Sequence, residues 1–281
     1  MSNATFLNIP VSPSKPMKLF VEKDFIIIRD ATTGMLDFSN PECYSGASPV
    51  AAYANMKNLV HNGSNATNGP APRVLEGGML KFDGTEPSTN DYVLLPTDEF
   101  SLPAGCKRAL ISVALKLPAS GYGSPAANRY PLFFGRLNNT AAANINFGIW
   151  GIINTSGDLT SVQGALLGSV PVSATAQLAT LTDGSVHVVS VYADGETTAG
   201  TLVTRIYVDN TLLATATNSA WDGVVPQPTN LPRIGSYPAT IHSPWGGMQV
   251  GRPMIVNLTG KDDNAEEIIR LETERAKRFL M

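Results

Sequence analysis

Charge is scarce in this chain. Asp, Glu, Lys and Arg make up 15% of its 281 residues, and 20 basic against 23 acidic side chains leave a formal charge of −3. Nucleic-acid binding needs a basic footprint, and none exists here; nor is there a polybasic stretch for an anionic membrane surface. Cysteine is scarcer still, at Cys43 and Cys106. Two thiols make neither a disulfide scaffold nor a structural zinc site. One Cys43–Cys106 bridge or two free thiols remain open, with free thiols expected. The three histidines, His61, His187 and His242, are isolated, and no two stand at metal-ligand spacing. His187 lies among Val186, Val188 and Val189, the setting of a half-buried structural histidine. There is no Gly-x-Ser-x-Gly elbow, no phosphate loop and no GxGxxG. No apolar run near the N-terminus exceeds Phe25–Ile28, too short to span a bilayer. Pro10, Pro13 and Pro16 interrupt the first residues, which rules out the continuous apolar core of a signal peptide. A chain made in the cytosol, with no membrane insertion, is therefore expected. Sequons such as Asn65-Ala66-Thr67 would then carry no glycan.

What the chain has in quantity is 43% hydrophobic residues, Gly 25 and Pro 20. That mixture fits many short strands joined by turns. Residues 1–24 read as an extended N-terminal arm, because the prolines favour extended chain. Residues 25–281 read as one all-β domain, with strand candidates often spaced near ten residues, as in a sandwich or barrel. In RALISVALKL the positions Ala109, Ile111, Val113, Leu115 and Leu117 are uniformly apolar and should face the core. In TRIYVDNTLLATA, Ile206 and Val208 share one face, and Asp209-Asn210 supplies residues that tolerate a hairpin turn. Residues 80–96, LKFDGTEPSTNDYVLLP, read as strand, turn, strand. One helix is predicted over 263–280, docked on the sandwich edge. Asp263 with Glu266 forms a capping box there, and Ile268, Ile269, Leu271, Ala276, Phe279 and Leu280 form the apolar stripe.

The stretches GGMLKFDGTEPSTNDYVLLP, FSLPAGCKRALISVALKLPASG, RYPLFFGRLNN and NFGIWG resemble the first half of a laminin-G-like, concanavalin A-like lectin domain. DGSVHVVSVYADG, TRIYVDNTLLATAT, LPRIGS and GGMQVGRPMIVNL resemble its second half. Upstream, MLDFSNPECYSGASPVAAYANMKNLVHNG is similar to the lead-in of bacteriophage-encoded members, and AEEIIRLETERAKRFL to their terminal helix. The resemblance covers roughly residues 25–281 and implies a jelly-roll β-sandwich. It departs at Ser185-Val186, where the family carries a bulky aromatic before the His-Val strand; Trp150 is the expected substitute anchor.

Fold alone does not fix function. Glycoside hydrolases on this fold carry Glu-x-Asp-x-x-Glu along one strand, so that two acids reach the sugar. Here Glu22-Lys23-Asp24 is followed by Ile27 in the third acidic place, and the chain is expected not to be an enzyme. The resemblance implies a virion structural protein, either capsid decoration or tail-associated. It would be assembled in the host cytoplasm, dock on other virion proteins, form a homo-oligomer and bind host glycans. A glycan-degrading enzyme and a capsid cement without ligand are the alternatives. Sugar recognition needs aromatic faces beside hydroxyl-binding groups, which singles out Trp221, Asp222, Tyr237 and Trp245. No cofactor is expected. Ca²⁺ is the one cation that the loop-edge acids Asp83, Glu86 and Asp91 could take.

Overall fold

The computed structural model describes residues 31–60, 63–83, 91–120, 128–236 and 246–280. The expected arm, residues 1–24, lies outside them. In chain order the strands are β1 (Thr32–Met35), β2 (Asn55–Met56), β3 (Ala66–Asn68), β4 (Val74–Glu76), β5 (Met79–Lys81), β6 (Tyr92–Leu94), β7 (Arg108–Lys116) and β8 (Leu132–Leu137). They continue with β9 (Ile145–Ile153), β10 (Leu159–Leu166), β11 (Val172–Ala174), β12 (His187–Asp194), β13 (Leu202–Val208), β14 (Thr211–Asn218), β15 (Arg233–Gly235) and β16 (Gln249–Asn257). A short 3-10 turn (Ala142–Asn144), a single turn of α-helix, α1 (Leu178–Leu181), and a longer helix, α2 (Ala265–Phe279), complete the described elements. One sheet has the order β14-β13-β12-β7-β16-β5-β4, with β1 also on β16; the other has β11-β10-β9-β8-β15-β6-β3-β2. The chain is an all-β sandwich with one substantial helix, as the sequence pattern and the lectin resemblance led us to expect.

The main core lies between the sheets. On β7, Ala109, Ile111, Val113 and Leu115 all enter it, because strand residues alternate between faces. Ile206 and Val208 of β13, two strands along the same sheet, enter it from the same side. The β13–β14 hairpin turns on Asp209 at φ 50 and Asn210 at φ 67, the left-handed pair that a tight hairpin requires. β5 and β6, on either side of residues 84–90, do not pair. They belong to opposite sheets, so both Phe82 and Val93 reach the common core.

Trp150 does not substitute for the missing aromatic in that core. Phe147 and Ile149 of β9 point inward, which leaves Trp150 on the opposite face. There it is buried with Leu132, Leu137, Ile145 and Ala165, and its indole N–H donates to Gln163 Oε1 at 3.1 Å. The tryptophan in the main core is Trp221. Cys43 and Cys106 are both free and buried; burial pushes the Cys43 thiol up to about 12.

α2 packs on the outer face of the first sheet rather than on an edge of the sandwich. Ala265, Ile268 and Ile269 meet Leu110, Tyr192, Met254 and Val256, and Ala276 and Leu280 meet Met79, Ala114 and Val188. The cap is Asn264, not Asp263. Its side chain accepts from Glu266 N at 2.9 Å and Glu267 N at 3.4 Å. Asp263 is drawn away because its carbonyl accepts from the Arg108 guanidinium. Between the two apolar ends of the helix the contact is ionic: Arg252 bonds Glu272 at 2.7 and 3.1 Å and also pairs with Asp37.

Candidate functional site

Strand registers separate the candidate residues between the two ends of the sandwich. β7 starts beside Asp194 and Asn257, at Arg108 and Ala109, and finishes beside His187 and Gln249, at Leu115 and Lys116. Trp221 and Asp222 lie at the starting end: Trp221 N donates to Gly200 O at 3.0 Å, next to the start of β13. Asp83 and Asp91 lie at the finishing end. There Phe82 N donates to Met248 O at 2.9 Å, Gly247 N to Phe82 O at 2.8 Å, and Ser236 N to Asp91 O at 2.9 Å. Gly235 lets these chains converge. It is at φ 95, and a Cβ there would meet Asp91 O at 2.4 Å and the Phe82 ring at 2.7 Å. Gly247, at φ 78, borders Pro118. The residues that flank segments 84–90, 121–127 and 237–245 therefore gather at one end. Glu86, Tyr237 and Trp245 belong to those segments and lie outside the described residues.

The base of that end is a buried ion pair. Arg73 Nη2 meets Asp91 Oδ1 at 2.6 Å, with the two side chains 1% and 7% exposed. The same guanidinium donates to Asn68 Oδ1 and to Ala71 O, the latter at 3.1 Å, and lies 4.9 Å from the Phe82 ring centroid. Desolvation lowers the Arg73 pKa, against the opposing pull of Asp91. Asp91 is thus not a loop-edge acid: burial commits its carboxylate to Arg73. Of the expected cation ligands, Asp83 is exposed and Glu86 lies outside the description. Among the described residues no cluster of three or more His, Cys, Asp or Glu side chains could hold a metal.

The other end is closed by its own side chains. Trp221 is only 8% exposed, and its indole N–H donates to Leu167 O at 3.3 Å. Its ring covers Gly195 so closely that a Cβ there would lie 2.1 Å from it. A ring so enclosed has no free face for a sugar, so Trp221 serves as core. Asp222 is exposed and spends one oxygen on Val224 N at 2.9 Å, which fixes a local turn. Of the four candidate sugar contacts, Trp221 and Asp222 stand at the end of the sandwich opposite Ser236 and Gly246, and Tyr237 and Trp245 lie outside the described residues.

His187 is structural, as its apolar neighbours suggested. Nδ1 lies 2.6 Å from Asp209 Oδ2, and Nε2 lies 3.1 Å from Asp183 Oδ1. Lys277 of α2 reaches the same Asp209 oxygen at 2.9 Å. The Asp209 hydrogen bond raises the His187 pKa, over an opposing desolvation and with help from Asp183. Burial works against the Asp209 carboxylate, but His187, Val188 N–H and Lys277 outweigh it and hold its pKa below the ordinary range. Neither His187–Asp209 nor Arg73–Asp91 has a local signature, since the partners are 22 and 18 residues apart.

No family model matches the chain, and no curated protein does. Solved structures share its fold. The botulinum neurotoxin serotype D binding domain superposes with TM-score 0.55 at 11% identity, over 88% of this chain and 51% of that one. The binding domain of paraclostridial mosquitocidal protein 1 gives TM-score 0.53 at 11% identity, over 87% and 52%. The chain thus spans about half the length of these binding domains, and at such identity only the fold is shared. A Trypanosoma rangeli sialidase also matches, with TM-score 0.48 at 14% identity over 88% of this chain and 33% of that one. The expectation that the chain is not an enzyme is corrected on this point. An enzyme stands among the structural matches, so the comparisons do not set the chain apart from enzymes, and the looseness of the match assigns it no reaction. What the comparisons establish is the β-sandwich fold.

Proposed function

We propose that the chain is a bacteriophage virion protein whose lectin-like sandwich docks on the particle and recognises host-surface glycans. The observation that carries the glycan reading is the convergence of Asp83, Asp91, Ser236 and Gly246 at one end of the sandwich. Ser236 and Gly246 flank a segment whose sequence holds Tyr237 and Trp245, and Asp83 and Asp91 flank the polar segment that holds Glu86. Recognition of a sugar ring needs an aromatic face and nearby hydrogen-bonding groups, on a support that does not yield. Gly235, Phe82 and the buried Arg73–Asp91 pair supply such a support. The phage reading rests on the lead-in over residues 35–63 and on the terminal helix, both read from sequence. Weak single-site affinity would be multiplied by the copies on a particle.

Glycan-array binding followed by titration calorimetry on host polysaccharides tests the site. Trp245→Ala and Tyr237→Ala should each weaken binding about tenfold or more, the loss typical of a central aromatic anchor. Asp222→Ala should leave it unchanged. Equal losses from Asp222→Ala, or none from Trp245→Ala, would move the site elsewhere. Following released sugars in the same mixtures separates recognition from turnover. A chelator arm tests Ca²⁺ at Asp83 and Glu86. Absence of the chain from purified virions would sink the phage reading.

A further inference from the structure

Among the described residues the two sheets have five edge strands, and four of them are short. β1, β4, β11 and β2 have 4, 3, 3 and 2 residues. Short edges are one way in which sandwiches avoid pairing with other chains. β14 is different: it is 8 residues long, roughly 27 Å of strand. Among the described residues nothing pairs with its outer side. It also lacks the usual charge or proline guards, since no charged residue and no proline stands between Asp209 and Asp222. Its inward side chains Leu213, Ala214 and Ala216 pack on the main core yet are only half-buried. Leu212 is 48% exposed. One guard is present, a register shift in the β13–β14 pairing between Ile206 and Tyr207. It bends the hairpin end and leaves Ala214–Asn218 regular.

We propose that β14 is a pairing edge whose occupant is β14 of a second copy of this chain, antiparallel about a two-fold axis. The charge pattern favours self-pairing. Alternating Thr and Ala from Ala214 to Thr217 place no like charges opposite each other. The nearest charged side chain is Arg205, one strand in, opposite Thr215. The two Arg205 side chains would stand at least three strand spacings apart, roughly 14 Å, beyond the ~8 Å screening length. Pairing would join the first sheets of both copies and cover the half-buried Leu213, Ala214 and Ala216. Strands in an isologous pair run in opposite directions, so the loop ends of the two copies face opposite ways. The pair would bridge two surfaces rather than grip one. The contact is small by the standard of stable interfaces, so association on the order of micromolar is expected.

Sedimentation equilibrium of the full chain, without glycan, from about 1 to about 200 µM tests this independently of sugar binding. The wild type should pass from monomer to dimer. Thr215→Lys and Thr217→Lys should each weaken association at least ~tenfold by setting like charges across the pair, with circular dichroism confirming the fold. Val74→Lys, on the opposite edge, should leave association unchanged. Thr215→Cys gives a second readout that needs no lysine variant. Cys43 and Cys106 are buried, so air oxidation at low concentration should yield a reducible dimer through the new thiol. A monomer at every concentration overturns the proposal and leaves the edge to a different chain. A dimer that survives both lysine variants, or a Thr215→Cys chain that never cross-links, overturns it as well.

Discussion

Arg252→Met should be among the most damaging single substitutions in this protein, although Arg252 touches no candidate ligand site. Arg252 is fully buried, and its partners Asp37 and Glu272 are 1% and 2% exposed. It joins three parts of the chain: the turn after β1, the closing strand β16 and helix α2. Methionine matches the length of the side chain without the charge. The backbone at Arg252 is left-handed, at φ 43; Met bears the same strain there, so it cancels in the comparison. What remains is the loss of the cation, which strands two carboxylates out of water. Breaking a buried ion pair from one side costs about 3–5 kcal/mol. In a domain of this size, at roughly 2 °C per kcal/mol, that becomes a fall in Tm of about 6–10 °C. Glu272→Gln is the contrasting variant. It keeps shape and hydrogen-bonding capacity and leaves Arg252 balanced one-to-one by Asp37, so its cost should be nearer ~1–2 kcal/mol. Urea unfolding midpoints with unchanged slope would measure both. The reasoning fails if Arg252→Met lies within ~1 kcal/mol of wild type, or if Glu272→Gln proves the more damaging of the two.

The His187 cluster predicts a stability plateau bounded on both sides. The His187 pKa is held above its ordinary 6.5, so its contribution is complete below pH 6.5 and is lost as pH rises through the folded value. The pKa values of Asp209 and Asp183 are held below their ordinary 3.8; their contributions are complete above 3.8 and are lost as pH falls through the folded values. Urea midpoints measured from acid to alkaline pH should therefore decline at both ends, and His187→Gln should abolish the alkaline decline while leaving an acid one. At the start of α2, Asn264→Ala should cost about 1 kcal/mol as a lost cap. Asp263→Ala should cost under ~0.5 kcal/mol, because Asp263 contributes a backbone carbonyl to Arg108; thermal denaturation of the pair decides which residue is the cap.

Local pattern was enough for the parts of this fold built from near neighbours. The alternation in RALISVALKL named the inward side of β7 correctly, and Asp209-Asn210 named the hairpin turn. The helix was legible from its stripe, but its first turn was not. Asp263 and Asn264 have equal capping chemistry, and the choice between them is made by Arg108, 155 residues away. The same limit applies to the candidate site. Asp91 reads as a turn acid until Arg73 is seen beside it, and Trp221 reads as a loop aromatic until Gly195 is seen under its ring. One further signal is legible in the sequence. Arg252 interrupts the apolar run of QVGRPMIVN between Gly251 and Pro253. A charge in a strand whose neighbours are all buried demands partners, and here they are two acids from distant segments.

The contrast between the two ends of the sandwich bears directly on where a ligand can go. At the Trp221 end the loops are tied to each other by groups already spent. Glu196 accepts from Gly260 N at 3.0 Å, Arg108 donates to Lys261 O at 2.6 Å, and Thr259 Oγ1 accepts from Lys107 N at 2.9 Å. A ligand there would have to displace intramolecular bonds one for one, with little net gain. At the opposite end, the tight geometry lies in Arg73–Asp91, Phe82 and Gly235. Such an arrangement fixes the residues that flank segments 84–90 and 237–245. The proposed glycan reading calls for such a division of labour: a rigid frame that sets position, and flanked segments whose residues can change with the ligand. It is also why Asp91, one of the three acids that the sequence offered as a loop-edge cation ligand, is better understood as part of the frame.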